Sequence, residues 1–379
     1  MTSSLADWLA YQQHLTAQPI ELGLERVRAV WQRLGARRPA QHVITVGGTN
    51  GKGSTVAMLE AMLRAGGQRV GCFTSPHLLD YNERIRVDGE DVDDASLVAV
   101  FARIESARGD IPLSYFEFGS LAAFEILADV GVDVAVLEVG LGGRLDAVNI
   151  IDADAAIVVT VDLDHMHYLG PDRDAIGCEK AGIFRAGRPA IIGDRDPPAG
   201  LLDAAEQRQA SLWCAGTAFQ VVPQEGAWYW LAGNQRLRLP PLALQGRWQI
   251  DNAAAALAAL YALRSSLPWA ASSVAALAEV RVPARLQRIA GPPELIVDVA
   301  HNPQAARALA DWLHSSPCQG RTLAVFSALA DKDIPAIAAA VGMGIDHWYC
   351  CAIVDAGARG LDANEVQHRV LQGSPQAHC

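Results

Sequence analysis

The sequence predicts an α/β protein of two domains, each built on a parallel sheet. Three observations carry that expectation. Short runs rich in Val, Ile and Ala alternate with segments of helical period along most of the chain. A glycine-rich turn from Gly47 to Gly53 separates one such run from the helix after it. The pattern then breaks at Val282-Pro283-Ala284-Arg285 and Gly291-Pro292-Pro293, and restarts as β, α, β. A boundary there gives an N-terminal domain over 1–284 and a smaller C-terminal domain over 285–379, and a length of 379 residues suffices for two cores.

The elements follow in order. Leu5, Trp8, Leu9 and Leu15 have helical spacing, and a second helix runs from Glu21 through Leu34 until Gly35 and Pro39 stop it. A strand from Val43 enters Gly47-Gly48-Thr49-Asn50-Gly51-Lys52-Gly53-Ser54-Thr55, and a helix follows from Val56 to Leu63. Glycines let backbone N–H groups converge on a polyphosphate, the helix N-terminus adds positive potential, and Lys52 supplies a point charge. The stretch therefore reads as a P-loop-type nucleoside-triphosphate site. It departs from G-x-x-x-x-G-K-[ST], because Val46 takes the first glycine position and Gly53 separates Lys52 from Ser54. A bare glycine turn would leave the lysine and the hydroxyls unexplained.

A strand over Arg69–Thr74 ends at Ser75-Pro76-His77. Loops past the carboxyl ends of parallel strands are where such sheets place ligands, so Ser75 is a candidate, with turn chemistry as the alternative. Tyr81 to Val87 is polar and briefly alternating, and a helix spans Ala95–Ser106. Tyr115, Phe116 and Phe118 crowd together before a helix over Ser120–Ala128; core packing and a stacking wall for a flat heterocycle both fit. Val132–Val139 reads as a buried strand carrying Glu138 near its end, followed by a charged loop to Asp146. Ala155–Val161 repeats the device and closes on Asp162-Leu163-Asp164-His165. A carboxylate and a histidine at neighbouring strand ends can share a divalent cation. Glu179 to Phe184 forms a helix-to-turn unit, and Ala190–Ile192 a strand. Leu212 to Leu239 changes to short alternating runs, a small antiparallel piece, and Asp251 caps an alanine-rich helix through Leu263. Beyond the break come a strand at Leu295–Val299, a helix at Gln304–Leu313, a strand at Thr322–Phe326, a helix after Asp331-Lys332-Asp333 and a strand at His347–Ile353. These predict a second parallel sheet.

Composition narrows the function. A net charge of −11 with no Lys/Arg run argues against a nucleic-acid binder. Met1 to Gln18 contains Asp7 and no apolar core, and no segment approaches about 18 apolar residues, so neither a signal peptide nor a membrane span is expected. Seven dispersed cysteines without C-x-x-C spacing fit reduced thiols in a cytoplasmic protein.

Read together, these stretches resemble one family: Gly48 to Ser54, Ser75-Pro76-His77-Leu78, Glu138 to Asp146, Leu163-Asp164-His165, Glu179 to Ile183, Asp298 to Pro303, and Asp331-Lys332-Asp333. Their residues and order are similar to bacterial folylpolyglutamate synthase in its bifunctional form with dihydrofolate synthase, within the ATP-dependent muramyl-ligase-like superfamily. The resemblance implies a Rossmann-like second domain and a ligase. ATP phosphorylates the carboxylate of dihydropteroate or of a reduced folate, and L-glutamate displaces phosphate to form an amide. It implies ATP held by Gly48, Thr49, Asn50, Gly51, Lys52, Gly53, Ser54 and Thr55, with Asn252, Arg285, Asp298, His301 and Asn302 as further nucleotide contacts. Mg2+ would be held by Ser75, Glu138, His165 and Lys180, the lysine as a carbamate, and dependence on a monovalent cation stays open. Lys52, Glu138, His165 and Lys180 are the implied catalytic set. The pterin pocket maps to Leu22, Ser114, Phe116, Asp146 and Ala147, the partners are small molecules, and the protein is expected to be a monomer.

Two local departures are Ala284 and Ser327, where the family commonly has glycine. The sequence also ends at Cys379 without the family's final strand and Gly-Ser-Phe-type motif, from which a shortened, less stable second domain is expected. Another muramyl-type ligase, or a catalytically impaired homologue, are the competing readings; the absence of a nucleotide-sugar domain before Val43 weighs against the first, and the joint presence of Lys52, Glu138, His165 and Lys180 against the second.

Overall fold

The computed structural model describes residues 4–16, 21–354 and 356–379. Among them the chain opens with α1 (Leu5–Gln12), α2 (Glu25–Arg33), β1 (Ala40–Gly47), α3 (Lys52–Ala65), β2 (Val70–Phe73), β3 (Ile85–Val87) and β4 (Glu90–Asp91). It continues through α4 (Asp94–Arg108), α5 (Tyr115–Val130), β5 (Val132–Glu138), β6 (Ala155–Val158), α6 (Met166–Leu169), α7 (Arg173–Lys180), β7 (Pro189–Ile192), α8 (Ala199–Gln207) and β8 (Ser211–Cys214). Then come β9 (Gln220–Gln224), β10 (Ala227–Ala232), β11 (Gln235–Leu239), α9 (Trp248–Leu263), β12 (Gln287–Ile289), β13 (Leu295–Val297), α10 (Pro303–Ser315), β14 (Leu323–Phe326), α11 (Ile334–Val341), β15 (His347–Cys350) and α12 (Ala363–Gly373). Two compact units result. The first holds Met1–Val161, Arg173–Ala243 and Gln249–Val282, and the second holds Pro283–Cys379 with Asp162–Asp172 and Leu244–Trp248.

The first unit is built on an eight-stranded sheet in the order β4-β3-β2-β5-β1-β6-β7-β8. From β2 to β8 the pairings are parallel, while β3 and β4 extend one edge antiparallel. Val134 to Leu137 are fully buried, as a parallel sheet covered on both faces requires. Core residues of α4 and α5, among them Phe101, Leu121 and Phe124, pack with Trp8 of α1 and Val27 of α2. Register then sets the site. Val46 lies beside Glu138, and Gly47 beside Val158, so the glycine loop, the end of β5 and the end of β6 share one carboxyl edge.

Three local expectations are corrected here. The run beginning at Leu212 does not all belong to the antiparallel piece: Ser211–Cys214 joins the large sheet parallel to β7, and only β9, β10 and β11 form the small sheet. Tyr115, Phe116 and Phe118 lie inside α5, because Ser114 and Glu117 form a capping box that starts the helix earlier. Asp251 is in the first turn of α9 rather than at its cap, and its carboxylate pairs with Arg195.

In the second unit β14 and β15 pair in parallel, with Leu323 beside His347 and Phe326 beside Cys350. Instead of joining one parallel sheet, β13 pairs antiparallel with β12 as a short hairpin. Ala310 of α10, Ile334 and Ala338 of α11, Trp348 of β15, and Val366 and Val370 of α12 form the core. Phe326 meets Trp348 edge-on, with centroids 5.5 Å apart. The alternate strand positions face outward: Val325 is 78% exposed, and Leu323 and Tyr349 are also exposed.

Candidate functional site

The glycine loop of the first unit is fixed by β6 and α9. Thr49 N–H donates to Thr160 O at 2.8 Å, and Asn50 N–H donates to Thr160 Oγ1 at 3.0 Å. Gly51 has φ +84°, and a Cβ there would stand 2.6 Å from Asn252 Oδ1 and 2.8 Å from Val159. Only a glycine allows that approach. Asn252 is itself buried and donates to Gln249 Oε1 at 2.9 Å. Gly51 opens α3 without any side-chain cap, which leaves its first-turn N–H groups to an anion. Lys52 Nζ donates to Gly48 O at 3.0 Å and Thr49 O at 3.3 Å, folded back over the loop it would share with a phosphate.

Beside this loop, Glu138 is buried and accepts from Ser75 N–H at 3.3 Å, which brings the predicted Ser75 and Glu138 together. The stretch from Gly140 to Asp146 interlocks with the end of α7. A Cβ on Gly143 would meet Glu179 O and Lys180 O at 2.9 Å, and one on Gly182 would meet Arg144 Cα at 2.3 Å. Arg144 N–H donates to Glu179 O at 2.9 Å, and Asn149 Nδ2 bridges to Arg144 O and Gly182 O. Lys180 is thus buried at the junction of two motif stretches. Ser75 and Glu138 are hard oxygen donors of the kind Mg2+ prefers, so they fit a divalent cation. Among the described residues no three His, Cys, Asp or Glu side chains converge as a metal centre by themselves.

The predicted pterin residues belong to the same unit. Gly23 N–H reaches Leu145 O at 3.4 Å, which sets Leu22 near Asp146 and Ala147. Asp146 is buried and accepts from the N–H groups of Leu141 at 2.9 Å and Val148 at 3.0 Å. Burial pushes its carboxyl up to about 7 against the pull of those donors. The Phe116 ring lies 5.7 Å from that of Phe73 and within 2.6 Å of where a Gly140 Cβ would stand. Ser114 spends its hydroxyl on the Glu117 N–H of the capping box.

The second unit gathers the remaining residues. Asp298 accepts from the N–H groups of Leu286 and Ala300, both at 2.8 Å, and burial raises its carboxyl. Ala284 and Leu286, on either side of Arg285, have φ +52° and +47°, the left-handed region that favours glycine. The departure at Ala284 is therefore a real backbone cost. Asp164 accepts from Lys332 Nζ at 2.8 Å and Asn302 Nδ2 at 3.2 Å, and its carboxylate lies 3.4 Å from His301 Nε2. Burial would raise this carboxyl, but the His301 hydrogen bond and the charges of His165 and Lys332 hold it well below the usual range. Asn302 also caps α10 by accepting from Ala305 N–H. His165 follows Asp164 directly, with φ +49°. Sequence reasoning assigned no role to Thr160, Asn149, Asp164 or Lys332. Only Asp164 and Lys332 carried a signal, as charged residues inside motif stretches.

A glycine loop carrying a lysine at the edge of a parallel sheet, followed by residues 284–379 that match the model of the Mur ligase glutamate ligase domain, defines an ATP-dependent ligase. The dihydrofolate synthase/folylpolyglutamate synthase of Escherichia coli is 44% identical over 372 residues, 98% of this chain and 86% of that one. The chain belongs to the dihydrofolate synthase/folylpolyglutamate synthase family. The structure of E. coli FolC in complex with DHPP and ADP matches with a TM-score of 0.92 at 44% identity, covering 97% of this chain and 88% of that one. A bifunctional folylpolyglutamate synthase/dihydrofolate synthase with Mn, AMPPNP and L-glutamate bound matches with a TM-score of 0.89 at 42% identity, covering 100% and 89%.

Proposed function

We propose that this ligase joins L-glutamate to dihydropteroate and to reduced folates through an acyl phosphate. The observation that carries the reading is the near-full-length likeness to a chain whose structure holds DHPP and ADP. The residues supply the chemistry in a consistent way. Lys52 and the uncapped N–H groups of α3 receive the phosphates, and Gly48 to Thr55 line them. Ser75, Glu138 and His165 are the protein's oxygen and nitrogen donors for Mg2+, with Lys180 joining them as a carbamate. Magnesium when bound neutralises charge on the transferring phosphoryl group. Asn252, Arg285, Asp298, His301 and Asn302 contact the nucleotide, and Leu22, Ser114, Phe116, Asp146 and Ala147 hold the pterin. Mass spectrometry of the intact protein under bicarbonate, with Lys180→Ala as the control, reads the carbamate directly.

No helix among the described residues is long and apolar enough to cross a membrane. We read the protein as a cytoplasmic monomer, which light scattering and cell fractionation test. The activity is tested by ADP release with Mg2+ and ATP, omitting dihydropteroate, tetrahydrofolate and L-glutamate in turn. Release that needs glutamate plus either pterin substrate is expected; release with no dependence on a pterin would overturn the reading. Lys52→Ala should lower turnover about 100- to 1000-fold without a shift in melting temperature. A loss below about fivefold would mean that the phosphates bind elsewhere.

A further inference from the structure

Arg84 stands beside the proposed pterin pocket and is used by nothing described so far. Its guanidinium carbon lies 5.4 Å from the centroid of the Tyr81 ring and 5.5 Å from that of Tyr115, the residue between Ser114 and Phe116. The two rings meet at 89° with centroids 5.7 Å apart, so they form a corner that holds a planar cation. Arg84 Nε–H donates to His77 Nδ1 at 2.8 Å, which fixes the rotation of the fork. The loop carrying His77 is fixed in turn: Glu83 accepts from the N–H groups of Leu78, Leu79 and Asp80 at 2.7 to 2.9 Å. Tyr81 is seated because Gly119 has no Cβ, which would lie 2.7 Å from the Tyr81 hydroxyl. The arginine is half-buried and prearranged, yet among the described residues its side chain meets the histidine and the two rings and no carboxylate is paired to it.

An arginine held in this way offers its Nη1 and Nη2 edge to a planar anion, and a carboxylate matches that edge with two charge-assisted hydrogen bonds. The preorganised geometry lowers the entropy cost of the contact. The two substrates of the proposed reaction differ at this point. Dihydropteroate has one carboxylate, the one to be phosphorylated. A folate ending in glutamate keeps its α-carboxylate while the γ-carboxylate reacts. Resting on the function proposed above, we infer that Arg84 is a specificity-determining residue that recognises the unreacting α-carboxylate of glutamate-terminated substrates.

The test compares kcat/KM for tetrahydrofolate and for dihydropteroate in the wild type, Arg84→Gln and Arg84→Lys, with melting temperatures as the folding control. Arg84→Lys keeps the charge and loses the fork, so it serves if Arg84→Gln does not fold. The expected result is a loss of about 10- to 100-fold with tetrahydrofolate, mainly in KM, and less than about threefold with dihydropteroate. A tetrahydrofolate α-carboxamide should be a poor substrate for the wild type and insensitive to either substitution. Equal losses on both substrates would overturn the inference, as would no loss on tetrahydrofolate or a carboxamide as good as the acid. If the wild type uses tetrahydrofolate alone, the carboxamide arm decides. If it uses neither pterin compound, the proposed function fails and the role of Arg84 falls with it, an outcome distinct from equal losses on two working substrates.

Discussion

Two aspartates, one in each unit, respond to desolvation in opposite ways. Asp146, in the loop after β5, is pushed up to about 7, while Asp164, in the loop that precedes α6, is held well below the usual carboxylate range. Both are withdrawn from water and both accept hydrogen bonds. The difference lies in who donates. Asp146 receives only backbone N–H groups at short range, whereas Asp164 receives an ammonium from one stretch of chain and an imidazole and an amide from another. Charged partners in direct contact outweigh desolvation at Asp164, whereas backbone dipoles with the more distant charge of Lys52 do not at Asp146.

Lys332 sets a full positive charge against Asp164 from a side chain only 7% exposed. Lys332→Ala would leave Asp164 with partners of weaker charge and should cost the second unit about 3 to 5 kcal/mol. Hydrogen exchange resolved over α10 and α11 checks this, and a change under about 1 kcal/mol would show that the ion pair is incidental. Next comes pH. Asp146 stays protonated in the folded chain over a range where the unfolded chain has already ionised, so its contribution is full below about pH 4 and is lost as pH rises through about 7. A difference of about three pH units is worth at most about 4 kcal/mol. Asp146→Asn should flatten the stability profile of the first unit across that window; a profile equally steep in the variant would place the slope elsewhere. Asp164 works in the other direction, with stability present above about pH 4 and lost as pH falls below it.

The smallest effect is the sharpest control. Asp298 lies in the second unit with Asp164, but its close donors are the backbone N–H groups of Leu286 and Ala300, and burial raises it as it does Asp146. Carboxyl carbon NMR should therefore show Asp298 titrating above the ordinary range and Asp164 below it. The same direction for both would mean that the surrounding unit, and not the donor, sets the shift.

Most of the first unit was legible because its strands are apolar throughout and its turns carry glycines. Val134 to Leu137 could hardly be anything but a buried parallel strand. Leu323-Ala324-Val325-Phe326 reads much the same in sequence, yet only alternate residues face the core, since burial on one face or two depends on what packs there. The cradle, Ser75 and Glu138 were visible as motifs at strand ends. Thr160 was not, because a threonine after a strand has no distinctive signature until its hydroxyl meets Asn50. The link from Asp164 to Lys332 spans 168 positions, and no local pattern in one sequence reports a pairing so distant.

The fit between Gly51, Asn252 and Val159 also bears on how this chain can change over generations. A side chain at position 51 would collide with both neighbours and sit at a backbone angle of +84°, so no single replacement at 252 or 159 relieves it. Any route away from this glycine passes through intermediates with a damaged loop. Drift is closed at position 51, and mutational pressure on the loop would meet tolerated variants at its rim before it met one at this glycine.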